Sequence, residues 1–261
     1  MSDLINYEVA EGIATLAINR PERKNAMTYA MSKAFHEYAH QASEDEAVRV
    51  LVITGRGGSF CAGTDLSDLN NEATEERVER SDAMRRTDVF WPLFHCKKPT
   101  IAAIDGPAVG MGIEFASQCD IRIASTAARM AWIFAQRGLV PDTGAGSWLL
   151  PRMIGTQKAL ELLYTGRFVS PEEAQDMGFV LDVVEPEALL ERAYGLAREI
   201  CQASPFAQRL TKELVYAGLS RPASEHVKAS AEALTACFQS EDHQEGVRSF
   251  LEKRAPEFTG R

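Results

Sequence analysis

Two glycine-marked segments and one acidic turn hold the residues best equipped for chemistry. They are Phe60-Cys61-Ala62-Gly63-Thr64-Asp65, Pro107-Ala108-Val109-Gly110-Met111-Gly112-Ile113-Glu114 and, further along, Val140-Pro141-Asp142-Thr143-Gly144. Each glycine-rich segment follows an apolar run suited to a strand, Val50-Leu51-Val52-Ile53-Thr54 or Thr100-Ile101-Ala102-Ala103-Ile104. Its backbone N–H groups therefore leave the sheet ladder and become available to a ligand oxygen. Two such turns with carboxylates beside them suit the stabilisation of negative charge on a carbonyl oxygen, as in an enolate. Taken singly, each of Gly63, Gly110 and Gly112 needs no more explanation than a tight strand-to-helix turn.

A third pattern, His36-Glu37-Tyr38-Ala39-His40, has the His-Glu-x-x-His form of zinc metalloproteases. Its helical phase argues against metal. At about 100° per residue, Met27, Met31, Ala34, Tyr38 and Ala42 share one side, and His36 and His40 point the other way, toward solvent. No downstream His or Glu stands out as a third ligand, so no metal site is expected. His95, His226 and His243 have no recognisable nucleophile or carboxylate partner in sequence and read as structural.

The elements that must position these residues fall within a chain of 261 residues, 45% hydrophobic and 25% charged, which is ordinary globular usage. Its net charge of −9, from 28 basic and 37 acidic residues, counts against sequence-independent nucleic-acid binding, which draws on clustered Lys and Arg. The first residues lack the basic start and apolar core of a signal peptide, and no stretch approaches the roughly 20 apolar residues of a membrane span. A cytoplasmic protein without membrane contact is expected. Cys61, Cys96, Cys119, Cys201 and Cys237 are scattered, form no Cys-x-x-Cys pair, and read as reduced, mostly buried fillers.

The architecture changes at Glu185-Pro186. Before it, β-rich runs at 7–10, 13–18, 50–54, 100–104, 121–124, 129–133 and 179–184 alternate with helical stretches, an α/β pattern. Beyond it, Leu189, Ala193, Leu196, Ala197 and Ile200 recur at helical spacing, as do Phe206, Leu210, Leu214 and Ala217, then Val227, Ala231, Leu234 and Phe238. The expected division is an α/β core over 1–186 and a helical region over 187–261. Four short helices cannot enclose a core, so their apolar faces are expected to pack on the first domain or on another subunit. Between Asp65 and Pro99 the chain turns polar and charged, which fits a flap over a site and a solvated surface helix equally well.

The run from Lys98 to Glu114, with Ser59-Phe60-Cys61-Ala62-Gly63-Thr64-Asp65-Leu66, resembles the enoyl-CoA hydratase/isomerase (crotonase) superfamily. Most of the chain shares the resemblance, including Arg20-Pro21-Glu22-Arg23-Lys24-Asn25-Ala26-Met27, Thr165-Gly166-Arg167 and Phe250-Leu251-Glu252-Lys253-Arg254. It implies an α/β spiral of β-β-α repeats ending in a C-terminal helical trimerisation region. It also implies acyl-CoA thioester substrates and a homotrimer or a hexamer of two trimers. Coenzyme A is then part of the substrate, and no separate cofactor is expected.

The same resemblance assigns roles to residues. The thioester oxygen is expected on the backbone N–H groups of Thr64 and Met111, where loss of one donor typically costs roughly 3 kcal/mol of barrier. Glu114 falls where hydratases carry one of two catalytic glutamates, and Phe134 stands where the second belongs. Asp142 matches the place where several 3-enoyl-CoA to 2-enoyl-CoA isomerases, and the isomerase of ring-epoxide phenylacetyl-CoA degradation, carry their catalytic acid. Each acid also has a plainer reading: Glu114 as a helix-capping or surface acid, and Asp142 as the N-cap of a helix through Trp148 and Leu149. Arg23 and Lys24, with Lys253 or Arg254 from a neighbouring subunit, are expected at the coenzyme A phosphates, and Ala62, Asp65, Leu66 and Phe250 along the rest of that moiety. Trp132, Phe134 and Phe90, with Met84, Trp91 and Phe94, suit an apolar acyl pocket or simply fill the core. The favoured reaction is 3-enoyl-CoA isomerisation by Asp142, assisted by Glu114. Three alternatives stay open: hydration by Glu114 with Asp142, Asp142 as a nucleophile as in related dehalogenases, and a catalytically silent acyl-CoA-binding trimer.

Overall fold

A computed structural model describes residues 4–71 and 91–261. Met84, Phe90 and most of the polar stretch read as a flap or surface helix lie outside the described residues. In chain order the elements begin with β1 (Ile5–Ala10), β2 (Ile13–Ile18), α1 (Tyr29–Glu44), β3 (Val50–Gly55) and α2 (Leu66–Asn71). Next come β4 (Thr100–Ile104), β5 (Pro107–Val109), α3 (Met111–Gln118), β6 (Ile121–Ser125) and β7 (Arg129–Ala131). The helices α4 (Ala145–Trp148), α5 (Leu150–Ile154), α6 (Thr156–Thr165) and α7 (Pro171–Asp176) precede β8 (Asp182–Val184), and α8 (Leu189–Cys201), α9 (Pro205–Gly218), α10 (Ala223–Gln239) and α11 (Glu241–Glu252) follow it.

The main sheet runs β1-β2-β3-β4-β6-β8, with β1 antiparallel to β2 and every later pair parallel. Parallel strands covered on both faces need apolar side chains on both, which explains the unbroken runs Val50–Ile53 and Thr100–Ile104. Alternation sorts the two faces: Leu51, Ile53, Ala102 and Ile104 enter the principal core, while Val50, Val52, Ile101 and Ala103 meet Leu189, Ala193 and Ala197 of α8. The stripe seen on α8 in sequence is thus spent on the sheet. By contrast, α9 and α10 contain no fully buried residue, and Val215, Val227, Leu234 and Phe238 are more than half exposed.

Three local expectations change. Pro107–Val109 is a short strand paired with β7 in a second, two-stranded sheet. The run 179–184 shortens to Asp182–Val184, because Phe179 turns into the core with its carbonyl bonded to Arg122 Nε. His36 does not face solvent. The buried side of α1 is centred on Met31, Phe35, Ala39 and Ala42, and Phe115 of α3 packs edge-on against the His36 ring at 6.0 Å. That burial lowers the imidazole pKa, whereas His40 stays exposed. Among the described residues no helix is long and apolar enough to cross a membrane.

Candidate active site

The Cys61–Asp65 segment is held on both flanks. Met27 N–H donates to Gly63 O and Asp65 N–H to Met27 O, each at 2.8 Å, while Cys61 N–H donates to Pro107 O and Val109 N–H to Cys61 O, each at 2.9 Å. Asn25, fully buried, ties down the first flank by donating to Arg56 O and Ser59 O and accepting from Arg20 N–H. On the other flank, a Cβ at position 112 would lie 2.2 Å from Cys61 O, so only glycine lets the first turn of α3 close on this segment.

These bonds leave two donors over. Among the described residues neither Thr64 N–H nor Met111 N–H is given to a protein acceptor. The two residues are neighbours, with Thr64 Oγ1 4.0 Å from Met111 Sδ. Met111 is the first residue of α3, where helical geometry leaves N–H groups unspent and the helix dipole is positive. Such a place accepts a carbonyl oxygen that is gaining negative charge.

Two carboxylates stand close by. Glu114, on α3, is fully buried and is therefore no surface acid. Its Oε2 accepts the Thr143 hydroxyl at 2.7 Å and Gly146 N–H at 2.9 Å, while Oε1 has no partner among the described residues. Burial, and after it the negative charge of Asp142, pushes the Glu114 carboxyl up to about 8 against those two bonds. It holds its proton at neutral pH. Packing there is close: a Cβ at position 146 would sit 2.3 Å from Glu114 Oε1 and 3.2 Å from Trp132 Cδ1, so Gly146 makes room for the acid.

Asp142 occupies the turn closed by Gly144 N–H on Pro141 O, and it is only half-buried. Its charge reaches Cys61 as well as Glu114, adding to the burial that pushes the Cys61 thiol up to about 12. The acidic turn and both glycine-marked segments therefore share one neighbourhood. Asp142 does not cap the helix that follows. The N-cap of α4 is Gly144, and Ala145 N–H is taken by the Thr143 hydroxyl at 3.2 Å. Thr143 and Gly146 thus shape the site, although neither was singled out as chemical in the sequence.

The remaining expected residues are distributed more widely. Arg23 and Lys24 are exposed, and Lys24 O accepts Ala62 N–H at 3.0 Å, so all three lie along one edge of the site. Asp65 is committed internally, bonded to Ser67 and ion-paired with Arg20, which together bring its carboxyl down to about 2. Leu66 is largely exposed. Phe250 lies on α11 beside a groove lined by Ser204, Cys237, His243, Val247 and Phe258, and Lys253 follows at the C-cap of that helix. The Arg254 guanidinium is occupied by Glu245 and Glu252. Trp132 packs edge-on against Phe179 at 5.1 Å, and both it and Phe134 belong to the principal core.

Known proteins share this arrangement of elements. The enoyl-CoA hydratase/isomerase family model matches residues 8–261. A 1,2-epoxyphenylacetyl-CoA isomerase of Escherichia coli (strain K12) is 34% identical over 263 residues, covering 100% of both chains. An enoyl-CoA hydratase of Alternaria alternata is 38% identical over 251 residues, covering 95% of this chain and 83% of its own. A solved enoyl-CoA hydratase from Bacillus anthracis superposes with a TM-score of 0.93 at 31% identity, over 99% of this chain and 100% of that one.

Proposed function

This chain belongs to the enoyl-CoA hydratase/isomerase family of acyl-CoA enzymes, and from that premise we propose that it converts 3-enoyl-CoA to 2-enoyl-CoA thioesters with Asp142 as the single acid–base. The Asp142 carboxylate takes a proton from the carbon beside the thioester. Electrons from that C–H bond pass into a dienolate whose oxygen rests on the N–H groups of Thr64 and Met111. The proton held on Asp142 then returns two carbons further along, leaving the double bond conjugated with the thioester. Atoms and charge balance without water or any co-reactant.

The observation that carries this reading is the contrast in access between the two acids. Asp142 is only partly buried beside both glycine-marked segments, with its Oδ1 enclosed, whereas Glu114 is sealed in completely, where burial raises its proton affinity. Hydration by two glutamates also meets Phe134 where the second belongs. The presence of Glu114 favours a second reading, water addition by Glu114 with Asp142. In either case Arg23, Lys24, Ala62 and Leu66 line the entry side for coenzyme A. The exposed apolar residues of α9 and α10 fit burial in a homotrimer, or in a hexamer, that brings Phe250 and Lys253 to a neighbour's coenzyme A.

The test offers purified protein 3-enoyl-CoA and 2-enoyl-CoA panels and follows double-bond migration and water addition separately. The expected result is migration without hydration, lost in Asp142→Ala. Hydration that depends on Glu114 and survives Asp142→Ala contradicts the proposal.

A further inference from the structure

The turn bearing Asp142 is gripped from two directions through one residue, Thr143. The Thr143 hydroxyl donates to Glu114 Oε2, and the Thr143 carbonyl accepts the indole Nε1–H of Trp91 at 2.6 Å. Side chain and carbonyl together fix the backbone of Thr143, and so the direction in which the preceding residue leaves the turn. The indole is itself braced. Its centroid lies 5.1 Å from Phe94 and 5.6 Å from Trp148, and Phe94 packs at 4.5 Å on Tyr216 of α9. Lys212 of the same helix donates to Leu93 O and Lys98 O on the segment carrying these aromatics. A Cβ at position 144 would meet Trp91 Cζ2 at 3.9 Å, so the ring lies directly against the turn.

We infer that Trp91 is a positioning residue for the reaction: through the Thr143 carbonyl, its indole N–H holds the Asp142 carboxylate in the orientation that proton transfer requires. This rests on the reading of Asp142 as the acid–base. Proton transfer depends steeply on alignment, so a small swing of the carboxylate lowers turnover while the coenzyme A contacts, made elsewhere, stay intact.

Trp91→Phe keeps an aromatic ring beside Phe94 and Trp148 and deletes the donor together with part of the indole's bulk. The expected result is a roughly fivefold to twentyfold fall in kcat for double-bond migration, with KM and melting temperature close to wild type and the pH–rate profile unshifted. In single-turnover assays the same substitution made in an Asp142→Asn background should bring no further loss, because the indole acts only through that carboxylate. Thr143→Val, which removes the other grip, should lower kcat in the same way, and Thr143→Ser should restore it. The inference is overturned by an unchanged kcat in a folded Trp91→Phe protein, or by a loss of equal size with and without Asp142. Should Trp91→Phe fail to fold, an unchanged kcat in Thr143→Val overturns it. Failure of the parent proposal has a separate signature, undiminished migration in Asp142→Asn alone.

Discussion

The pocket that encloses Glu114 and the turn that presents Asp142 adjoin each other and treat the same functional group in opposite ways. Helix α3 is buried from Gly112 to Gln118, and the loss of water around Glu114 raises its proton affinity. The Pro141–Gly144 turn is only partly buried, so an acid there keeps some contact with solvent, although Asp142 Oδ1 is itself enclosed. What each carboxyl can do follows from its surroundings more than from its identity. A neutral, sealed acid suits holding a turn in shape, and an accessible one suits moving a proton.

The largest effect separating the two regions should come from Asp142→Asn, which is expected to slow double-bond migration about a thousandfold without lowering the melting temperature. Paired kinetics and thermal melts check it, and a slowdown below about tenfold would merge the two acids into one class. Gly146→Ala attacks the boundary between them. The added methyl meets Glu114 Oε1 at 2.3 Å, so stability should fall by roughly 1–3 kcal/mol in denaturant titrations, with a smaller loss of turnover than for Asp142→Asn.

Glu114→Gln sharpens the contrast through pH. The folded carboxyl is raised from the ordinary 4.5 to about 8, so the folded chain keeps a proton that the unfolded chain releases. Its contribution to stability is fully present below 4.5 and is lost as pH rises through about 8. Denaturant titrations between pH 4 and 9 should show this downward slope in the wild type and its absence in Glu114→Gln, with migration within about fivefold of wild type because the amide still accepts from Thr143 and Gly146. The smallest effect belongs to a control far from the site. Arg167→Gln breaks exposed ion pairs to Glu161 and Glu173 and should cost less than about 1 kcal/mol with no change in rate.

Much of this arrangement is legible in the amino-acid sequence alone. Strands β3 and β4 read directly as apolar runs, and Gly63 and Gly110 marked where chain leaves the sheet, because local backbone demands leave a local trace. The all-helical run of elements after β8 was visible as a change of hydrophobic period, and so was the stripe of α8. Relations across the fold were not. Asn25 lies among charged neighbours and gives no sign that it stitches two loops, while the fit of Gly146 against Glu114 depends on residues far apart in sequence. Helical phase misjudged His36, because it locates the most apolar face of α1 and cannot see α3 arriving beside it. The plainer reading of Asp142 as a cap rested on the preference of aspartate for that place, yet the Thr143 hydroxyl takes Ala145 N–H instead.

The most direct test of the division between the two acids is an infrared difference spectrum, wild type minus Glu114→Gln, recorded from pH 6 to pH 9. A protonated-carboxyl stretch assignable to Glu114 at neutral pH, fading through about 8 and fading at lower pH when Asp142 is replaced by Asn, is the predicted result. An ionised Glu114 at pH 6 would contradict it, because two charged carboxylates would then stand ready beside the same pair of N–H groups.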